Sequence, residues 1–251
     1  MKPPAADGTL RSRYECKYVV EEALLEPLRS TLRTFLAPDA YSAQRPDGRY
    51  RISSLYLDSP RLALYRDTVD GKKNRFKLRL RCYDDGATPV FCEVKKRMDG
   101  IVYKRRSAVP RDAVRAFLDG DLFAAERAAD DDDAREFSLL ARTIVARPTV
   151  RVRYWREAYE STGADPVRVT FDTDLDYACS PAGELSVEDG EWGPTSLAKP
   201  ILEIKFTNTF PVWLADVARR FGLVRTSVAK YVLCLGAARR SPLGASLYQA
   251  G

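Results

Sequence analysis

The chain has 251 residues, 45% of them hydrophobic, a formal net charge of +6 and no histidine. That is enough apolar material for one sizeable core, with a modest bias toward acidic partners such as phosphates. The missing imidazole excludes Ser-His and Cys-His catalysis and His-ligated zinc, so any chemistry must use carboxylates, Lys, Arg, Tyr or a metal.

Residues 1–10 carry Pro, Asp and Gly without an apolar signal core, and read as a disordered N-terminus. Residues 14–18 read as a strand, and 21–36 as a helix with Leu24, Leu28, Leu32 and Phe35 on its apolar face. Residues 39–48 read as a loop, 51–58 as a strand and 60–65 as a short helix. Three strands follow at 75–83, 90–96 and 101–109, the last two joined by an Asp99-Gly100 hairpin turn. Pro110 opens a helix over 113–118, and another covers 137–146. Between them Asp130 to Asp133 read as a solvated acidic loop. Strands return at 149–159, 167–172 and 201–206, with 183–200 a loop or short hairpin and Asp174 a turn residue. Helices over 211–221 and 227–238 close the chain, leaving 239–251 as a tail. No repeat or long linker divides residues 11–238, so one domain is expected. The five cysteines (Cys16, Cys82, Cys92, Cys179, Cys234) are scattered and form no C-x-x-C pair, which argues for reduced thiols. No stretch approaches the roughly 18 apolar residues of a bilayer span, and a cytoplasmic setting without a membrane span is expected.

The strands share one pattern. Side chains on a strand alternate between faces, so Arg75, Lys77, Arg79 and Arg81 fall on one face and Phe76, Leu78, Leu80 and Cys82 on the other. Glu15 with Lys17, Glu93 with Lys95, Lys104 with Arg106, Arg168 with Thr170 and Asp172, and Glu203 with Lys205 repeat the arrangement. An open antiparallel sheet with a wet polar face accounts for alternation. A closed barrel, apolar outside under helices and charged within, accounts also for the dominance of Lys and Arg, provided that its lumen holds water, counter-ions or an anion. Periodicity over 150–156 picks Arg151 and Arg153 for the charged face, since Val150 and Val152 separate them.

The ordered segments Tyr14-Glu15-Cys16-Lys17-Tyr18, Ser54-Leu55-Tyr56-Leu57-Asp58, Lys77-Leu78-Arg79-Leu80-Arg81, Glu93-Val94-Lys95, Tyr103-Lys104-Arg105-Arg106, Tyr154-Trp155-Arg156-Glu157-Ala158-Tyr159, Arg168-Val169-Thr170-Phe171-Asp172, Leu202-Glu203-Ile204-Lys205 and Ala229-Lys230-Tyr231 resemble those of the VTC (vacuolar transporter chaperone) polyphosphate polymerase domain, of the triphosphate tunnel metalloenzyme superfamily. The resemblance spans about residues 11–238. It implies an α+β fold, an eight-stranded antiparallel β-barrel with a charged lumen and helices outside. It implies transfer of the γ-phosphoryl of ATP to inorganic polyphosphate, with Mn²⁺ or Mg²⁺ as cofactor. Carried over by position, Arg79, Arg81, Lys95, Arg156 and Arg168 become catalytic. Lys17, Lys77, Lys104, Tyr154, Lys205 and Lys230 bind phosphate, and Glu203 holds the metal. The motif selects Tyr154 and Arg156 against the Arg151–Arg153 parity, a conflict that a β-bulge would reconcile. Ala229 stands where the family often has Ser.

Two other functions are compatible with the pattern. A hydrolase of tripolyphosphate or a nucleoside triphosphate would be expected to show E-x-E-x-K on the first strand, where this chain has Arg13 at the first Glu position. A non-catalytic module could bind polyphosphate. Sequence-specific nucleic acid is not expected as a partner, because base stacking calls for aromatics among the cations, and Phe76 lies on the opposite face of its strand.

Overall fold

The computed structural model describes residues 13–86, 88–99, 101–161, 166–207 and 209–248. Residues 1–10 and Gly100, for which a disordered terminus and half of a hairpin turn are expected, lie outside the described residues.

In chain order the elements are β1 (Arg13–Val19), a 3₁₀ turn (Glu22–Leu24), α1 (Leu25–Leu32), β2 (Ala37–Pro38), α2 (Ala40–Ala43), β3 (Arg49–Asp58), α3 (Ala63–Val69), β4 (Arg75–Cys82), β5 (Val90–Met98), β6 (Ile101–Val109), α4 (Arg111–Leu118), α5 (Ala124–Ala129), α6 (Asp132–Thr143), β7 (Arg147–Glu160), β8 (Arg168–Cys179), β9 (Gly193–Pro194), β10 (Ile201–Thr207), α7 (Val212–Arg220), α8 (Lys230–Arg240) and α9 (Pro242–Tyr248). Eight strands form an antiparallel path β1-β10-β8-β7-β3-β4-β5-β6, with β2 on β7 and β9 on β8. The path curls into a half-barrel that brings its ends together. Lys95 of β5 reaches across the seam to Glu15 of β1, with Nζ 3.0 Å from Oε2. At the seam, Arg225 forms an antiparallel bridge with Tyr18, and the Thr226 N–H donates to the Lys17 carbonyl at 2.8 Å.

Two apolar cores lie on the convex face. Cys16, Tyr18, Val169, Phe171, Leu202 and Ile204 pack beneath α1 and α7. Leu55, Leu57, Leu78, Leu80, Cys92 and Val94 pack beneath α4, α5 and α6. Alternation then forces the remaining residues of these strands onto the concave face.

The third core departs from the expected plan. Tyr231, Cys234, Leu235 and Ala238 of α8 pack with Ile52, Tyr56, Val150, Val152 and Tyr154. In β3 and β7 these are the residues of concave parity, since Leu55 and Leu57 lie in the outer core. So α8 lies against the inside of the sheet and fills part of the tunnel. Val150 and Val152 face inward for that reason. Arg151 and Arg153 face outward, beneath the segment around 186–192: Arg151 Nη1 donates to the carbonyls of Ser186 at 3.0 Å and Asp189 at 2.8 Å. The periodicity reading is thereby corrected. Its error was to equate an apolar face with the outside.

Bulges are present on both strands, and neither separates Val152 from Tyr154 and Arg156: on β7 an extra residue lies between Pro148 and Arg151, since Leu57 faces Pro148 and Leu55 faces Arg151, and the other is on β8. Arg153 faces Asp176 while Trp155 faces Thr173, so β8 spends an extra residue there. Asp174 has φ of 52°, and sits inside a strand that runs on to Cys179 rather than in a turn.

Smaller departures have local causes. Asp131 caps α6, accepting from the Ala134 N–H at 2.6 Å, so the acidic run opens a helix rather than forming a solvated loop; acids complement the positive N-terminal end of the helix dipole. Asp39 caps α2 through the Ser42 N–H at 2.7 Å, inside the expected 39–48 loop. Phe35 lies beyond the end of α1 and is half exposed, stacked on Trp213 with ring centroids 4.4 Å apart. Residues 239–240 complete α8, and the Tyr248 hydroxyl of α9 donates to the Thr149 carbonyl.

Candidate functional site

The concave face gathers Lys17, Lys77, Arg79, Arg81, Lys95, Lys104, Arg106, Arg156, Lys205 and Lys230 around the carboxylates Glu15, Glu93, Asp172 and Glu203. They sort into three clusters.

The first centres on Glu93 of β5. Arg79, its partner across the β4–β5 ladder, places Nε 2.6 Å and Nη2 2.5 Å from Oε2. Arg81 Nη1 lies 3.7 Å from Oε2; Lys104 Nζ at 3.2 Å and Arg106 Nε at 3.5 Å flank Oε1. Burial pushes the Glu93 carboxyl up, but Arg79, Arg81, Lys104 and Arg106 outweigh it and hold it well below the usual carboxylate range. Arg79 Nη1 donates to the Tyr56 hydroxyl at 3.1 Å, and Arg81 Nε to the Ser54 hydroxyl at 3.2 Å.

The second joins three elements. Arg156 of β7 clamps Asp172 of β8 through Nε and Nη2, at 2.6 and 2.7 Å, and Lys230 at the start of α8 reaches the same carboxylate at 2.6 Å. Burial raises the Asp172 carboxyl while these cations bring it down to about 2. The Tyr154 ring is buried beneath both cations, 5.2 Å from the Arg156 guanidinium carbon and 4.8 Å from Lys230 Nζ.

The third lies by the seam. Glu203 pairs with Lys205 at 2.5 Å and Lys17 at 3.5 Å, and Lys17 also lies 3.2 Å from Glu15. Burial raises Glu203 too, but Lys205 and Lys17 hold it well below the usual range. Lys17 Nζ further donates to the Val228 carbonyl at 3.0 Å, tying the wall to the segment that leads into α8. Lys77 faces Lys95 across the ladder. Burial, then Lys95, Lys17, Arg75 and Arg79, drive its amine down to about 7.

Of the twelve residues assigned by resemblance, Lys230 lies at the start of α8 and all the others lie on the concave-parity face of their strands. Arg168, opposite Lys205 on the β10–β8 ladder, is engaged by two further carboxylates, with Nη2 on Asp39 at 2.5 Å and Nη1 on Glu160 at 2.8 Å. Arg106 and Tyr56 join the site without having been assigned to it. Arg106 carried a signal in its parity with Lys104; for Tyr56 the sequence showed only a shared face with Ile52 and Ser54, and its place opposite Arg79 emerges from the β3–β4 ladder.

Among the described residues no group of three or more His, Cys, Asp or Glu is placed to hold a metal. The interior instead offers Glu203, with Glu15 across Lys17. One or two carboxylates completed by phosphate oxygens and water suit Mg²⁺ or Mn²⁺, so the donor set fits a cation that arrives with a phosphate ligand.

A curled antiparallel sheet with helices outside, α8 against its inner face and a cation-rich concave surface defines a tunnel-type α+β protein. The family model described as the VTC domain matches residues 12–238, and the chain belongs to that family. Among solved structures, the crystal structure of a candidate adenylate cyclase from Bacillus halodurans is similar at 11% identity and a TM-score of 0.46, covering 87% of this chain and 95% of that one. The PH1819 protein from Pyrococcus horikoshii is similar at 16% identity and 0.46, covering 89% and 97%. No curated protein matches. Among the described residues no helix is long and apolar enough to cross a membrane.

Proposed function

We propose that this chain is a polyphosphate polymerase that transfers the γ-phosphoryl of ATP to the end of an inorganic polyphosphate chain. The observation that carries the reading is the convergence of Arg79, Arg81, Lys104, Arg106, Arg156 and Lys230 on one narrow interior where buried carboxylates neutralise only part of their charge. A chain of phosphates supplies the missing negative charge at close spacing.

The chemistry suits a site without histidine. A terminal phosphate oxygen attacks the γ-phosphorus, forming a new P–O bond, and the bond from that phosphorus to the β–γ bridging oxygen breaks to release ADP. The nucleophile is already ionised and needs no general base. What the reaction asks of protein is alignment and stabilisation of charge on the transferring oxygens. Arg79, Arg81 and Arg156 offer planar, bidentate donors, and Lys17, Lys95, Lys104, Lys205 and Lys230 act as point charges. Glu203 would hold Mn²⁺ or Mg²⁺, which supplies further neutralisation of the phosphate oxygens.

One experiment tests this reading. The protein is incubated with ATP and Mn²⁺ while ADP, free phosphate and long-chain polyphosphate are followed together. ADP with polyphosphate is the expected result. ADP with equimolar free phosphate would make the chain a hydrolase, and tight polyphosphate binding without turnover a binding module.

A further inference from the structure

Glu93 is the most heavily paired carboxylate of the interior, and its side chain is 1% exposed. One cation, Arg79, balances its formal charge. Yet Arg81, Lys104 and Arg106 also crowd it. The cluster therefore keeps a large positive surplus around one fixed negative charge. Oε1 makes no hydrogen bond of good geometry even though two cations flank it, so that oxygen is held electrostatically and remains short of a donor. Arg79, meanwhile, spends Nε and Nη2 on Oε2, the two nitrogens with which a guanidinium grips a phosphate side-on.

We propose that Glu93 is a positioning residue acting as an internal counter-anion: it aims Arg79 in the empty tunnel and competes with an incoming phosphate for Arg79 and Lys104. It thereby sets how tightly the tunnel holds a phosphate chain and how fast it lets go. This inference rests on the reading of the interior as a phosphate-binding tunnel. The physical argument concerns sign. Neutralising Glu93 removes repulsion between its carboxylate and the phosphate, and frees cations for the ligand. The same change leaves four cations crowded together without their anion, which destabilises the empty protein. Loss of a purely structural ion pair would instead lower stability and affinity together.

The test uses the full chain, tripolyphosphate as probe, and pH 6.5, with Glu93→Gln and the charge-retaining Glu93→Asp. For Glu93→Gln the expected result is a lower melting temperature when empty, together with tripolyphosphate affinity tightened by about tenfold or more and a slower dissociation rate, as removal of a nearby like charge implies. Glu93→Asp is expected to stay near wild-type affinity. Unchanged or weaker binding in Glu93→Gln, or equal tightening in Glu93→Asp, would overturn the counter-anion role. Should Glu93→Gln fail to fold when empty, tripolyphosphate is expected to restore a cooperative melting transition, since its phosphates replace the missing anion; no rescue would overturn the role. Absence of tripolyphosphate binding by the wild-type chain would sink the tunnel reading itself. Wild-type binding with no tightening in Glu93→Gln would sink only the inference about Glu93.

Discussion

Lys230 Nζ, on the first residue of α8, lies 2.6 Å from Asp172 Oδ2 on β8. This contact joins the helix inside the half-barrel to the wall, and Asp172 keeps Arg156 as a second, bidentate partner. The carboxylate therefore stays compensated if Lys230 is lost, whereas a phosphate would lose a cation.

Lys230→Met tests that division of labour. The thioether keeps much of the apolar stem while removing the charge. The expected outcome is a melting temperature within a few degrees of wild type and tripolyphosphate affinity lowered by about five- to tenfold, read by calorimetry. A variant that binds as tightly as wild type would remove Lys230 from the site.

Glu203 separates metal binding from phosphate binding. Lys17 and Lys205 both pair with it, so Glu203→Gln frees two cations while removing the anionic carboxylate and leaving only a neutral amide oxygen. Turnover of ATP with Mn²⁺ is expected to fall by about 100-fold or more, while tripolyphosphate binding without metal is retained or tightened. Full turnover in this variant would show that Glu203 does not hold the metal.

The pH dependence follows from Lys77 and Lys104. Burial, together with neighbouring cations, drives Lys77 down to about 7. Lys104 also falls to about 7, where burial, Arg81 and Arg79 outweigh the pull of Glu93. The Lys104 side chain is 45% exposed, so solvent screens its share of this effect and the more enclosed Lys77 carries the larger part. In the unfolded chain a lysine titrates near 10.4. Between about pH 7 and 10.4 the unfolded state therefore binds more protons, and these two groups make the empty protein more stable as pH rises. Phosphate binding runs the other way, because it favours the charged amines. Affinity is expected to fall by up to tenfold per lysine for each pH unit above 7. Calorimetry at pH 8 in two buffers of different ionisation enthalpy should reveal proton uptake on binding. Equal heats would contradict it.

The strand code was legible because period-two alternation survives any curvature of the sheet. It placed Glu15 with Lys17, Arg79 with Arg81, Glu93 with Lys95, and Glu203 with Lys205 on the charged face of each strand before any strand order was known. It failed at Arg151 and Arg153, where an apolar face lies inside because α8 lies inside. No local pattern reports which side of a sheet a distant helix will cover. The acidic run at 130–133 misled for a related reason: like charges that repel in a loop are favourable at a helix N-terminus, and only the following turns reveal the helix. That Arg168 pairs with Asp39 was likewise beyond reach, since it depends on α2 folding back beside β8.

Ala229 offers a last test, where a departure from the family pattern meets a helix end. It is the N-cap of α8, with extended φ and ψ of −110° and 95° and no side-chain hydrogen bond to the first turn. A Ser there can accept from an N–H of that turn, which in other helices contributes about 0.5–2 kcal/mol relative to Ala. Ala229→Ser should therefore raise the melting temperature, without any ligand, by a few degrees. The same hydroxyl would stand next to Lys230, whose amine reaches into the interior. A second gain, in tripolyphosphate affinity beyond that expected from stability, would mean that the hydroxyl contacts the ligand. An unchanged affinity would mean that the serine of the family serves the helix alone, and that Ala229 costs this chain stability but no grip on phosphate.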